Sequence, residues 1–205
     1  MRDRDLVRLY WPVELQPAFD ALFAIDDALG EVVVRATDPA LAAIKLAWWR
    51  EALVRLDHAP PPPEPRLKAV AEELLPHGIS GAALSEIEAG WATLLDEQPD
   101  DALISMRGAV LFQLGARLLC VNDAGLSDAG ALYAQIDVAR RGIHDTRSSA
   151  DALGGLRFPR RARPLSALAA LAARDGRRPG PDWEAEATPG RAAALLWHRL
   201  TGRIG

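Results

Sequence analysis

Apolar residues recur at spacings of three and four along most of this chain, and short turn signals cut the pattern into segments of helical length. In the first long segment Phe19, Leu22, Ile25, Leu29 and Val33 make one stripe. In the second, Leu41, Ile44, Trp48, Ala52 and Leu56 make another. The pattern predicts helices over 14–35, 39–57, 66–76, 81–95, 101–121, 128–141, 164–175 and 189–202. Asp38-Pro39 and Thr188-Pro189 each read as an N-cap followed by proline at the first helical position, with Ser80 and Ser127 as further caps. No alternating run is long enough for a strand. Pro60 to Pro65 cannot continue a helix and reads as a rigid connector or a ligand for a proline-binding module. Arg174 to Asp182 is a polar loop rich in glycine and proline. Neither break marks a domain boundary, so an all-α protein with one domain over residues 1–205 is expected.

At 205 residues the chain is long enough to bury a sizeable core. Cys120 has no second cysteine to pair with, which removes internal disulfides. The N-terminal stretch is charged from the start and has no apolar core of signal-peptide length. The longest apolar stretch, around Gly108 to Val121, is interrupted by Gln113 and Arg117 and is too short to span a bilayer. A cytoplasmic protein without a transmembrane segment is expected. The net charge of −4 conceals an asymmetry: residues 1–139 carry 11 basic and 22 acidic side chains, whereas residues 140–205 carry 13 and 6. The basic third either faces an anionic membrane, a diphosphate or an acidic partner, or packs beside the acidic two-thirds. Nucleic acid is not an expected partner: there is no zinc-finger spacing, no basic zipper and no aromatic array beside the arginines. The histidines lack metal-ligand spacing, and His144-Asp145 is a dyad without an obvious nucleophile.

Three stretches carry a resemblance. Ala21-Leu22-Phe23-Ala24-Ile25-Asp26-Asp27-Ala28-Leu29 is the first. Asp38 to Leu53, with its run Trp48-Trp49-Arg50-Glu51-Ala52-Leu53, is the second and the most specific. Leu156 to Leu165 (LRFPRRARPL), together with Leu200 to Ile204, is the third. They resemble the first two helices and the C-terminal segment of the squalene/phytoene synthase family. Residues 60–125 match only in helical character. The resemblance implies an isoprenoid (terpenoid) synthase-like helical bundle. In active members two aspartate-rich motifs on facing helices hold Mg²⁺, which with nearby arginines stabilises the departing diphosphate as two prenyl diphosphates join head to head.

This chain departs from the family at both motifs. Aligned through Leu22-Phe23-Ala24, the first-motif aspartates fall at Gly30, Glu31 and Val34, and only Glu31 keeps a carboxylate. In the second, Asp137 is followed four residues later by Arg141, a cation where a second acid is needed. The losses resemble the family's non-catalytic branch, which includes a mitochondrial respiratory complex I assembly factor and related bacterial proteins. The resemblance then implies a catalytically degenerate binding or assembly factor without a cofactor. Its partner would be a membrane-associated protein or a prenyl or lipid ligand, met at the periphery of the inner membrane. The alternative is an active Mg²⁺-dependent prenyltransferase in which Asp26, Asp27, Glu31 and Asp137 replace the usual ligands.

The candidate binding residues are Asp26, Glu31, Lys45, Trp48, Trp49, Arg50 and Asp137, and none is assigned to catalysis or to a metal. Asp27 and Glu31 project from the first stripe, as a solvated acidic face or a weak chelate, and Asp26 lies at its edge. Lys45 falls within the second apolar face, to reach an interior diphosphate or to snorkel. Trp48 and Trp49 read as core and rim packing. Arg50 reads as a partner for a first-helix acid such as Glu31. Arg157, Arg160, Arg161 and Arg163 form a cluster suited to phosphate or carboxylate recognition, or else a solvated loop.

Overall fold

The computed structural model describes residues 2–145, 154–177 and 183–204, and no strand occurs among them. The helices are α1 (Asp3–Arg8), α2 (Gln16–Val34), α3 (Pro39–Arg55), α4 (Pro65–Glu73), α5 (Gly81–Ser85), α6 (Glu88–Ala92), α7 (Asp101–Leu118), α8 (Gly125–Arg140), α9 (Arg163–Gly176) and α10 (Pro189–Thr201). The expected all-α class is therefore observed. Among the described residues no helix is long and apolar enough to cross a membrane.

Three of the expected caps form. Asp38 accepts from the backbone N–H groups of Ala40 and Leu41, Ser80 from that of Ala83, and Thr188 from that of Arg191. Ser127 does not cap. The helix α8 starts two residues earlier, and Ser127 sits in its first turn, where it accepts a 3.0 Å hydrogen bond from Gln113 of α7. The continuous helix expected over 81–95 is instead α5, α6 and a 3₁₀ turn at Thr93–Leu95. The first piece packs mainly on α3 and the second mainly on α7, though each touches both helices. Helix α1 was not expected, because six polar-rich residues carry almost no periodic signal.

The largest correction concerns α3. Of the five residues read as its apolar face, Ala52 and Leu56 are buried, but Leu41, Ile44 and Trp48 are 49%, 67% and 47% exposed, and Lys45 beside them faces out. The buried face is Ala42, Leu46, Trp49 and Leu53, with Ala52 at its edge. Apolar residues surround this helix, so the 3.6-residue period selects two stripes about equally well, and only packing against α5 and α2 chooses between them.

Helices α7 and α8 make the most intimate pair. They cross where Gly108 faces Gly130: a Cβ on either would overlap the other's carbonyl group, so the two backbones touch. Helix α9 packs on α8 and also reaches α7, where Leu165 lies against Gly115, and α10 packs on α9. Under α1, Trp11 stacks on Phe19 (4.7 Å between ring centroids) and Phe23 (5.6 Å), joining the N-terminal segment to the core. The segment before α9 pairs briefly with the C-terminal residues, Phe158 N–H donating to the Gly202 carbonyl (2.8 Å) and Ile204 N–H to that of Leu156 (3.1 Å).

Candidate functional site: an arginine–carboxylate cluster beside a cavity

Helix α2 brings Asp26, Asp27 and Gly30 to one side of the bundle, α7 brings Arg107, and α8 with its C-cap residue brings Tyr133, Asp137 and Arg141. Trp91 of α6 and Arg4 of α1 complete the group. The spacing of α8 accounts for its part, since Tyr133, Asp137 and Arg141 are each one turn apart and share a face.

Guanidinium groups hold the carboxylates. Arg107 is fully buried. It donates to Asp137 at 2.9 Å, lies 3.4 Å from Asp26, and sits over the Trp91 ring at 3.9 Å from its centroid. Arg141 donates through Nε to Asp137 at 3.0 Å and through Nη2 to Asp27 at 3.2 Å, so one side chain ties α8 to α2. Arg4 also donates to Asp27. The Trp91 indole N–H donates to Asp26 at 2.8 Å, and the second Asp26 oxygen has no hydrogen-bond partner among the described residues.

Burial pushes the Asp26 carboxyl above the ordinary aspartate range; nearby Arg107 opposes this only in part. Burial would also raise Asp27, but Arg4 and Arg141 outweigh it and hold that carboxyl below its ordinary value. Burial disfavours the Arg107 charge, yet Asp26 and Asp137 keep the group firmly protonated. Burial, then Asp137 and Asp26, pushes the Tyr133 hydroxyl up, so it stays a neutral phenol.

A cavity of about 340 Å³ opens beside Asp27, Tyr133, Asp137 and Arg141. Its floor is apolar, from Ile136, Leu168, Leu171 and Ala172. At its other end Arg191 is clamped by Asp3 (2.8 and 2.9 Å) and Asp175 (2.6 and 2.9 Å), and Arg140 donates to Asp175 at 2.8 Å. Around this space Arg191 and Arg141 of the basic third neutralise Asp3, Asp27 and Asp137 of the acidic two-thirds, while Asp175 pairs with arginines of its own region.

The expected site residues part company here. Asp26 and Asp137 meet through Arg107. Asp27, read as part of a solvated face, is instead largely buried and triply contacted by arginines. Glu31 lies outside the cluster and pairs with Arg66 at 3.0 Å. It shares a shallow pocket with Lys45 and Trp49, away from the cavity. Arg50 pairs with Glu88 at 3.7 Å and not with Glu31, because the rotation of α3 turns it toward α6. Trp49 is core and Trp48 is rim, joined edge to face at 5.3 Å. His144 meets Asp101 at 3.1 Å and not its neighbour Asp145.

In the C-terminal cluster, Arg157 donates to the Thr201 carbonyl and Arg163 to those of Phe158, Arg199 and Leu200, so both secure the end of α10. Arg160 and Arg161 stay exposed.

Sequence reading missed Trp91, Arg107 and Arg4. A signal for Arg107 was present: it falls on the stripe Ile104, Arg107, Leu111, Leu114 of a helix that is otherwise apolar on that side. It also missed the buried pair Ser166 and His198. The His198 Nδ1–H donates to the Arg203 carbonyl (2.9 Å), which leaves Nε2 to accept from the Ser166 hydroxyl (2.9 Å).

Mg²⁺ does not fit the central donor set. It requires free carboxylate oxygens, whereas those of Asp27 and Asp137 are engaged by guanidinium groups, which also supply the neutralising charge. Among the described residues no three histidine, cysteine, aspartate or glutamate side chains are grouped to hold a metal ion. No family model matches the chain, and neither a curated protein nor a solved structure matches it.

Proposed function

We infer that this chain is a catalytically degenerate relative of the squalene/phytoene synthases, built on an isoprenoid synthase-like bundle, and that it works as a binding or assembly factor. The observation that carries the reading is Arg141 between Asp27 and Asp137. Where the resemblance calls for a metal between facing acidic helices, a guanidinium group ties those helices together. Gly30 supports it further. At this position the resemblance expects an aspartate, but a Cβ would come within 2.8 Å of Trp91 and 3.2 Å of Arg141. The space for that side chain is already taken by the cluster.

The exposed stripe Leu41, Ile44 and Trp48 on α3 suits docking on a protein partner. An apolar face on a helix, left uncovered by its own fold, is how helices present contact surfaces to a partner. The partner that the resemblance suggests is a membrane respiratory complex.

The competing reading, Mg²⁺-dependent coupling of prenyl diphosphates, draws on the cavity beside Asp27 and Asp137. It requires the arginines to release both carboxylates. Incubating the purified protein with farnesyl and geranylgeranyl diphosphate and Mg²⁺ separates the two. The expected outcome is no coupled product from folded protein, and a squalene- or phytoene-type product would overturn the inference.

A further inference from the structure

One end of the molecule differs from the rest in charge. Segments 154–174 and 187–205 contain no aspartate or glutamate, yet they place Arg157, Arg160, Arg163, Arg199 and Arg203 around the C-terminal end of α10, with the exposed Arg161 next to Arg160 in the chain. Among the described residues none of these six forms an ion pair. Arg157 and Arg163 donate to backbone carbonyls, and Arg199 lies over the Tyr10 ring at 4.8 Å. Within this basic rim α10 exposes apolar side chains. Leu196, Trp197 and Leu200 are 54%, 59% and 68% exposed, and their spacings of three and four put them on one face. Leu200, Arg160 and Arg199 line a common groove, which fixes the apolar face beside the cations.

We propose that this end of the molecule binds the surface of an anionic lipid bilayer, with Trp197, Leu196 and Leu200 entering the headgroup boundary and the arginines meeting lipid phosphates. The combination decides the occupant. An acidic protein surface would satisfy the guanidinium groups and leave the aliphatic side chains with no matching burial. A bilayer of anionic lipid satisfies both at once, with Trp at the headgroup level. The surface lies on α10, apart from the central cluster, so it holds for a degenerate protein and for an active one alike.

The test is co-sedimentation of the full chain with vesicles of phosphatidylcholine alone and of phosphatidylcholine mixed with phosphatidylglycerol. Binding is expected on the mixed vesicles, weakening as salt rises. Arg160→Gln with Arg161→Gln should lower the affinity by about 30-fold, each arginine contributing about 1 kcal/mol near such a surface. Trp197→Ser with Leu200→Ser should lower it by roughly tenfold or more. All four side chains are exposed, and circular dichroism of each variant checks the fold. A control removing the same charge elsewhere, Arg55→Gln with Lys68→Gln, should bind as the parent does. Absence of binding to mixed vesicles, equal binding to both vesicle types, or an equal loss in the control would each overturn the proposal. Capture on immobilised polyglutamate without vesicle binding would overturn it in favour of an acidic polypeptide.

Discussion

Arg141 at the C-cap of α8 and Asp27 of α2 stand 114 positions apart in the chain and meet through a 3.2 Å charge-assisted hydrogen bond. The same guanidinium holds Asp137, so losing it removes one contact from each of two carboxylates, leaving Asp27 to Arg4 and Asp137 to Arg107. Arg141→Ala should destabilise the fold by about 1–3 kcal/mol at neutral pH. Asp27 has its carboxyl held below the ordinary range, so its contribution is present above an unfolded pKa of about 3.9 and is lost as pH falls through the folded pKa. The gap between parent and variant should therefore narrow in acid. Urea unfolding at both pH values measures it, and coincident midpoints at neutral pH would contradict the clamp.

Arg107 is buried with Asp26 beside it, and its removal leaves that carboxylate without a counter-charge. Arg107→Met should cost about 3–5 kcal/mol. Burial raises the Asp26 carboxyl pKa, so the folded state takes up a proton there more readily than the unfolded chain does. The penalty should shrink as pH drops and Asp26 takes up a proton. A penalty independent of pH would mean that Asp26 plays no part in it.

Restoring the aspartate that the family resemblance expects at Gly30 should not restore a metal site. Gly30→Asp forces a side chain against Trp91 and Arg141 and should cost about 1–3 kcal/mol by overpacking. Its melting temperature should be the same with and without Mg²⁺. A Mg²⁺-dependent rise would show that the cluster can rearrange around a metal, and would favour the enzyme reading.

The orientation of α3 is open to a direct comparison. Leu46 is fully buried and Ile44 is 67% exposed. Leu46→Ala should cost about 2–5 kcal/mol, and Ile44→Ala should stay within about 0.5 kcal/mol of the parent. The reverse order would return α3 to the face that its periodicity first suggested.

His198 supplies a pH dependence near neutrality. Burial holds its imidazole below the ordinary range, the hydrogen bond to Arg203 opposing this only in part. The unfolded chain takes up a proton near pH 6.5, about the ordinary histidine value, before the folded protein does. Its contribution to stability is thus complete above about pH 6.5 and falls as pH drops toward the folded pKa. Stability across this window, compared with that of His198→Gln, measures the effect; identical slopes would exclude it.

Local signals in the sequence determined most of the helices and their starts. A cap such as Asp38 or Thr188 acts on backbone groups two or three residues away, so a short window contains the whole interaction. The proline run and the arginine cluster before α9 were legible for the same reason. The face of α3 was not legible, because its composition is apolar on nearly every side and burial depends on which neighbours arrive. The cluster was half legible: Asp26 and Asp137 stood out as carboxylates on helices, and Arg141 as a misplaced cation. Their arrangement was not, since Asp26 meets Trp91 across 65 positions and Asp27 meets Arg141 across 114. Only the packing of α2, α6, α7 and α8 brings those charges together. Whether a buried carboxylate is free, protonated or clamped depends on the groups around it in space, which residue spacing along one helix does not specify.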